Sequence, residues 1–319
     1  MELADKLLAG DRRALARAIT LTENEDPAAA ELAAAIYPQT GRARVVGVTG
    51  PPGAGKSTIV DGLTYLYRQS GQRVAVVAID PTSPFSGGAI LGDRIRMRRG
   101  TVDPGVFIRS LATRGHLGGL SWHTGSVIRL LDAAGFDAVI VETVGAGQSE
   151  IEIMRHAETT VVVLVPGLGD EVQAAKAGIL EIADVLVVNK ADLAGADRLA
   201  KELDMMLKLG QPPGAASGEA WVPPIVKTVA TSDEGLADLM AATERHQRYL
   251  AESGRFETRR RRELTAEVRG LVRELAGQAA CAWAETAGRW ERAVTAVVAR
   301  QSDPRTAAGG LVREFLERR

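Results

Sequence analysis

The pattern of hydrophobic and polar positions changes twice along the chain and divides it into three parts. In residues 1–43, alanine-rich segments carry apolar side chains at helical spacing, which predicts two or three helices around a break at Asp26-Pro27. In residues 44–250, short runs of β-branched residues alternate with helical stretches. Residues 251–319 return to a helical pattern that is rich in arginine. We therefore predict an N-terminal helical segment, a central α/β domain and a C-terminal helical arm.

The central domain contains short apolar runs that predict β-strands. These runs are Val45–Thr49, Val74–Ile79, Val106–Arg109, Ala138–Glu142, Thr160–Val165, Val185–Val188 and Ile225–Val229. Nearly continuous apolar strands that alternate with helices are typical of a parallel sheet covered by helices on both faces. The fold class predicted for this part of the chain is therefore α/β.

Composition narrows the functional classes. The chain has 319 residues, of which 45% are hydrophobic, so it can bury a sizeable core. A net charge of -1 gives no broad attraction to nucleic acid or to an anionic membrane. Cys281 is the single cysteine, which excludes an internal disulfide and a cysteine cluster for zinc or iron–sulfur. With neither a secretory signal nor a membrane-spanning apolar run, the expected location is the cytoplasm.

A phosphate-binding loop follows the first predicted strand. Its residues are Gly50-Pro51-Pro52-Gly53-Ala54-Gly55-Lys56-Ser57-Thr58, which match G-x-x-x-x-G-K-[ST] between a strand and a predicted helix at Thr58–Ser70. Glycines let the backbone wrap closely around phosphate oxygens, and the helix N-terminus supplies positive potential. Lys56 would place a charge near the β and γ phosphates, and Ser57 would offer its hydroxyl to Mg²⁺. The loop predicts nucleotide binding.

A second motif points to guanine. Asn189, Lys190 and Asp192 form N-K-x-D at the end of a later apolar strand. The Asp192 carboxylate can accept hydrogen bonds from both the ring imino group and the exocyclic amine of guanine, whereas adenine presents the wrong pattern. The segment Val229-Ala230-Thr231 follows the last strand, and its Ala230 N–H would support the base. The alternative is a solvated helix start that Asp192 caps.

Acidic residues follow two further strands. Glu142 ends one strand and precedes Gly145, as in the Walker B and switch II arrangement, although most GTPases have Asp at this position. Asp80 lies at the tip of the second strand, and the glycine- and serine-rich segment after it leads to Asp93. Such a segment suits a switch I loop that is ordered by γ-phosphate and Mg²⁺. The alternative is a long surface loop with no role in nucleotide binding.

Together these motifs resemble the MeaB group of P-loop GTPases, which chaperone adenosylcobalamin-dependent methylmalonyl-CoA mutase. The stretches that carry the resemblance are Gly50–Thr58, Asp80–Met97, Phe107–Leu120, Glu142–Glu150, Pro166–Ala183 and Asn189–Leu193. The resemblance implies a P-loop NTPase fold with a seven-stranded, mostly parallel sheet. It also implies Mg²⁺-dependent hydrolysis of GTP to GDP, an acyl-CoA mutase as partner, and a homodimer built partly by the C-terminal arm.

The resemblance also assigns roles to residues. The family's Mg²⁺ positions match Ser57, Asp93 and Glu142, and its catalytic positions match Lys56, Asp80 and Glu142. An extra family segment, switch III, is thought to transmit the nucleotide state to the mutase. Its positions match Asp170, Glu171, Gln173, Lys176 and Glu181. This chain departs from the family pattern at Gln173–Gly178, where one basic residue is missing.

Three other functions fit parts of the sequence. A metal-delivery GTPase would share the nucleotide motifs, but such relatives carry histidine-rich tails or cysteine motifs that this chain does not have. A P-loop kinase needs the phosphate loop but not N-K-x-D, so nucleotide preference separates it from a GTPase. A binding module would hold GTP without hydrolysing it, and single-turnover hydrolysis separates that case.

Overall fold

The computed structural model describes residues 2–80, 103–112, 119–143, 154–167, 180–210 and 220–318. Three helices precede the sheet: α1 (Glu2–Leu8), α2 (Arg12–Glu23) and α3 (Pro27–Ile36). The carboxylate of Asp11 accepts hydrogen bonds from the first N–H groups of α2, and Asp26 does the same for α3, whose first residue is Pro27. Aspartate thus caps both helices, and Pro27 begins α3 at the break that the sequence predicts, Asp26-Pro27.

Within the described part of the chain, seven strands form one sheet, as predicted. They are β1 (Arg44–Thr49), β2 (Val74–Asp80), β3 (Val106–Ala112), β4 (Ala138–Thr143), β5 (Thr159–Leu164), β6 (Val185–Asn189) and β7 (Ile225–Thr228). Their order is β3-β2-β4-β1-β5-β6-β7, and every pairing between neighbours is parallel. The strand order reverses around β1, so a crevice opens at the carboxyl ends of the strands, where ligands of such sheets bind.

Helices cover both faces of the sheet. They are α4 (Lys56–Gln69), α5 (Gly119–Ala133), α6 (Ala196–Gly210) and α7 (Leu236–Glu252). One core cluster joins α4 and α7 to the sheet through Ile59, Leu63 and Leu239. A second cluster lies on the opposite face, where Leu15 of α2 and Leu131 of α5 are fully buried. The N-terminal helices therefore belong to the same core as the sheet.

One edge of the sheet is covered by an arginine of α2. β3 is the outermost strand on its side. The Arg12 guanidinium donates to the backbone carbonyls of Pro104 and Val106, at 2.9 and 2.7 Å. It also lies over the ring of Phe107, 5.7 Å from the centroid.

The C-terminal arm is a separate compact unit. The chain divides into Met1–Glu257 and Thr258–Arg319. The arm is built from most of α8 (Arg255–Glu285), α9 (Arg289–Val298) and α10 (Pro304–Glu317). Within it, the rings of Trp283 and Phe315 meet at a centroid distance of 5.9 Å. Among the described residues, no helix combines the length and the apolar character needed to cross a membrane.

Candidate functional site

The phosphate loop connects β1 to α4, and close packing requires two of its glycines, Gly50 and Gly55. Gly50, Gly53 and Gly55 all have positive φ angles, of 145°, 74° and 89°. A Cβ atom on Gly50 would lie 2.2 Å from the carbonyl oxygen of Val163 in β5, and one on Gly55 would lie 2.3 Å from Nδ2 of Asn189. The loop therefore lies directly against the ends of β5 and β6, and only glycine fits at these two points.

The loop holds its own lysine. Lys56 is the first residue of α4, and 6% of it is exposed. Its Nζ donates to the carbonyl oxygens of Gly50 and Pro51, at 2.8 and 3.0 Å. These bonds fix the ammonium group at the first turn of the helix, where the backbone N–H groups also favour an anion.

The serine and the strand-end acid of the predicted metal site are in contact. The Ser57 hydroxyl donates to Oε1 of Glu142 at 2.6 Å. Glu142 is 4% exposed, although it carries a carboxylate. Hard oxygen donors are the ligands that Mg²⁺ prefers, and neighbouring oxygens around that ion lie about 3 Å apart. The donor types and their spacing therefore fit a magnesium ion.

Asn189 joins the guanine motif to the phosphate loop. This last residue of β6 is 2% exposed, and its Nδ2 donates to the carbonyl oxygen of Ala54 at 2.8 Å. Its Oδ1 accepts from the Thr228 hydroxyl at 3.0 Å and from the Ala230 N–H at 3.2 Å. A single buried amide thus connects the phosphate loop with the segment after β7.

The rest of N-K-x-D lies on an exposed turn. Lys190 adopts a left-handed conformation with φ of 56°, and its C=O accepts from the Leu193 N–H at 2.9 Å. The Ala191 N–H donates to the Thr228 carbonyl at 3.0 Å, which holds this turn against β7. Asp192 is exposed, so its carboxylate is accessible to a base.

The structure brings together Lys56, Ser57, Glu142, Asn189 and the phosphate loop at the carboxyl edge of the sheet. Asp80 ends β2 at the same edge. Several predicted residues lie outside the described part of the chain: Asp93, Gly145, Asp170, Glu171, Gln173 and Lys176. Glu181 is exposed in a short 3-10 turn, Leu180–Ile182, that leads into the amino-terminal end of β6. That end of the strand is opposite the edge that carries Lys56.

Sequence reasoning did not find every polar contact at this edge. It included Thr228 only within the predicted strand Ile225–Val229, whereas the Thr228 hydroxyl holds Asn189. It also missed a hydroxyl pair between Thr143 and Thr49, at the ends of β4 and β1. Threonine is common in strands for its shape alone, so its presence in the sequence gave no signal of a polar role.

Comparison with known proteins decides the family. The family model for the methylmalonyl-CoA mutase-associated GTPase MeaB matches residues 15–285. The chain belongs to the MeaB family. It is therefore a GTPase with the P-loop NTPase fold that the sequence predicted.

Individual relatives align with most of this chain or with nearly all of it. A protein of Pyrococcus abyssi that is named as a GTPase is 48% identical to this chain, over 99% of this chain and 96% of its own length. The methylmalonic aciduria type A homolog of Mus musculus, a mitochondrial protein, is 34% identical over 84% of this chain and 68% of its own length. The crystal structure of a LAO/AO transport system kinase matches with a TM-score of 0.71 at 29% identity, over 99% of this chain and 97% of that chain.

Proposed function

We propose that this chain is a Mg²⁺-dependent GTPase that acts as a chaperone for an adenosylcobalamin-dependent acyl-CoA mutase, either methylmalonyl-CoA mutase or a relative. In this role it would gate cofactor loading and protect or reactivate the mutase. The observation that carries the proposal is the match of residues 15–285 to a family described as associated with methylmalonyl-CoA mutase. The mouse relative, named for methylmalonic aciduria, supports the same link.

The phosphate loop supplies the hydrolytic machinery in this proposal. Two loop carbonyls already fix Lys56, so its ammonium group needs little rearrangement when a nucleoside triphosphate binds. Pro51 and Pro52 have no N–H group, so the phosphate oxygens take their backbone donors from Gly53 onward. Phosphoryl transfer depends mainly on such positioning and electrostatic stabilisation.

Ser57 and Glu142 are the described residues that would hold magnesium. When bound, that ion would neutralise negative charge that develops on the phosphate oxygens. The Ser57 oxygen would face the ion once the hydroxyl proton turns away from Glu142. The Glu142 carboxylate would contribute negative charge that balances the charge of the ion. Asp93, proposed as a third ligand, and Asp80, proposed near the γ-phosphate, complete the assignment.

Guanine specificity is assigned to Asp192, with Asn189 and Lys190 bracing the base. We expect Asp192→Asn to weaken GDP binding by about 100-fold or more, because the Asn side chain places an N–H donor opposite one of the two hydrogen-bond donors of guanine. The same variant should gain affinity for xanthosine diphosphate, whose pattern is complementary. Isothermal titration with both nucleotides measures the change. Asp204→Asn, which removes a carboxylate from the exposed face of α6, is the matched control.

The mutase role is tested by stimulation of hydrolysis. Purified methylmalonyl-CoA mutase from the same genome, added in excess, should raise the single-turnover rate of GTP hydrolysis by about 10-fold or more. An increase of this kind is typical of GTPases whose partner orders the switch segments. A combined change of Asp170, Gln173 and Lys176 to Ala should keep the basal rate and lose the stimulation. Unchanged hydrolysis with every acyl-CoA mutase of that genome contradicts the chaperone role.

We also propose a homodimer built through the arm. Val268, Val272 and Leu275 of α8 are 58%, 61% and 62% exposed and recur at helical spacing. Such a stripe of apolar side chains favours burial against a second helix. Val272→Asp combined with Leu275→Asp should convert a dimer into a monomer in light scattering. The exposed arginines Arg269 and Arg273 serve as control positions for alanine substitution.

A further inference from the structure

A buried hydroxyl pair lies beneath the phosphate loop. The Thr143 hydroxyl donates to the Thr49 hydroxyl at 2.9 Å, and the two residues are 0% and 1% exposed. Thr49 ends β1 and immediately precedes Gly50, the first residue of the loop. Thr143 ends β4 and immediately follows Glu142. The pair therefore connects the residue before the phosphate loop to the residue after the strand-end acid.

The end of β4 is held on both of its faces. β1 and β4 are neighbouring parallel strands in which Val48 is paired with Glu142, so Thr49 and Thr143 come next in register. Successive side chains of a strand point to opposite faces. Glu142 thus meets Ser57 on the α4 face, and Thr143 meets Thr49 on the other face. One bond thus ends on Ser57 within the phosphate loop, and the other ends on Thr49, which immediately precedes it.

Packing alone does not explain two threonines here. The other residues on this face of the same strands include Val45, Val139 and Val141, which are buried and apolar. Valine has nearly the shape of threonine and would fill the same space. A buried hydroxyl is costly unless it is hydrogen-bonded, so the pair adds directional constraint rather than apolar burial.

We infer that Thr49 and Thr143 are positioning residues for the metal-binding carboxylate. Their bond fixes the end of β4 relative to the start of the phosphate loop, and so sets the position of Glu142 relative to Ser57. It also fixes the point from which the segment carrying Gly145 departs. The inference rests on the proposed function, because only there does Glu142 bind magnesium.

Binding of Mn²⁺ to the GDP complex tests the inference without measuring activity. Electron paramagnetic resonance reports the affinity of Mn²⁺, which replaces Mg²⁺ at oxygen sites. Loss of a residue that orients a metal ligand typically lowers metal affinity by about 10–100-fold. We expect Thr143→Val and Thr49→Val each to weaken Mn²⁺ binding by about 10-fold, and Thr143→Ser to retain the wild-type affinity because it keeps the hydroxyl.

The double variant separates positioning from stability. Each single variant removes one hydroxyl of the pair and should lower the melting temperature. Thr49→Val combined with Thr143→Val replaces both hydroxyls by apolar groups of the same shape, so its loss of stability should be smaller than the sum of the two single losses. The weakened Mn²⁺ affinity should persist. Thr64→Val removes a buried hydroxyl in the middle of α4 and should leave the Mn²⁺ affinity unchanged.

Glu142→Gln distinguishes the two ways in which the test can fail. If this variant loses Mn²⁺ affinity while the threonine variants keep it, the threonine pair has no positioning role and the inference is wrong. If Glu142→Gln itself binds Mn²⁺ as the wild type does, the magnesium assignment is wrong and the inference falls with it. A double variant that binds Mn²⁺ with the affinity of the wild type also overturns the inference.

Discussion

Gly55 shows how one residue can control two parts of the site. Its φ of 89° lies in the left-handed region, and a Cβ atom there would lie 2.3 Å from the Asn189 amide. That amide holds Ala54 of the loop, Thr228 and Ala230. Any side chain at position 55 therefore displaces a buried group on which both the phosphate loop and the segment after β7 depend.

We predict that Gly55→Ala weakens nucleotide binding by much more than the strain of the left-handed backbone alone would. Strain alone costs about 1–2 kcal/mol for alanine in the left-handed region. Gly71 provides the control, because its φ is 81° and no atom lies within 4 Å of a Cβ built there. Gly71→Ala should lower stability by that amount and bind GDP normally, whereas Gly55→Ala should weaken GDP binding by about 100-fold. Equal GDP affinities in fluorescence titration would contradict this.

At the scale of elements, α4 is tied to the segment that leads into β3. The Arg68 guanidinium donates to both carboxylate oxygens of Asp103, at 2.8 and 3.0 Å. The Gly105 N–H donates to the same carboxylate at 2.7 Å. The hydrogen bonds from Arg68, and then that from Gly105, hold the pKa of Asp103 below its ordinary value of 3.8. The helix that begins in the phosphate loop is therefore anchored at its far end by an ionised group.

The sign of this shift gives a pH prediction. A carboxyl group whose pKa is lowered on folding stabilises the protein above its ordinary pKa, and this contribution disappears as the pH falls through the lowered value. Asp103→Asn should therefore melt at a lower temperature than the wild type at pH 6, and the difference should shrink below about pH 4. Asp204→Asn on α6 is the surface control. A difference in melting temperature that stays constant down to acidic pH would contradict the assignment.

The strands were predictable because their apolar runs are nearly continuous and β-branched, but the ends of the strands and their order in the sheet were not predictable. β3 extends to Ala112, three residues beyond its predicted end. The prediction stopped early because Ser110 and Ala112 do not continue the run of β-forming residues. Periodicity also says nothing about which strands are neighbours. The phosphate loop, Glu142 and Asn189 follow the ends of β1, β4 and β6, and they lie at one edge of the sheet because parallel strands bring their carboxyl ends together. The hydroxyls of Thr49, Thr143 and Thr228 escaped prediction, since only tertiary contacts distinguish them from β-forming residues.

At the scale of the molecule, the site and nearly all of the core belong to one unit. Among the described residues, the buried apolar side chains lie between Ala4 and Leu250, apart from Ala284 in the arm. The proposed dimer stripe, by contrast, lies entirely beyond Glu257. Nucleotide binding and self-association should therefore be separable by cutting the chain between the two units.

We predict that a chain ending at Glu257 folds, binds GDP with wild-type affinity and is monomeric. All of the loop, metal and guanine residues remain in this fragment, and α7 still covers the sheet. Analytical ultracentrifugation and titration with GDP measure the two properties. A truncated chain that remains dimeric would show that the arm is not the interface. One that loses GDP affinity would show that the arm supports the site.

The arginine of α2 at the sheet edge has a consequence for solubility. Exposed edge strands offer bare backbone groups to other chains, and proteins protect them with charged side chains or covering elements. Arg12 occupies the carbonyls of Pro104 and Val106 and places a positive charge at the rim of β3. A chain cleaved after α2 would keep every nucleotide-binding residue and yet uncover this rim. We expect such a chain to aggregate by pairing of β3 edges, which Arg12 of α2 prevents in the intact protein.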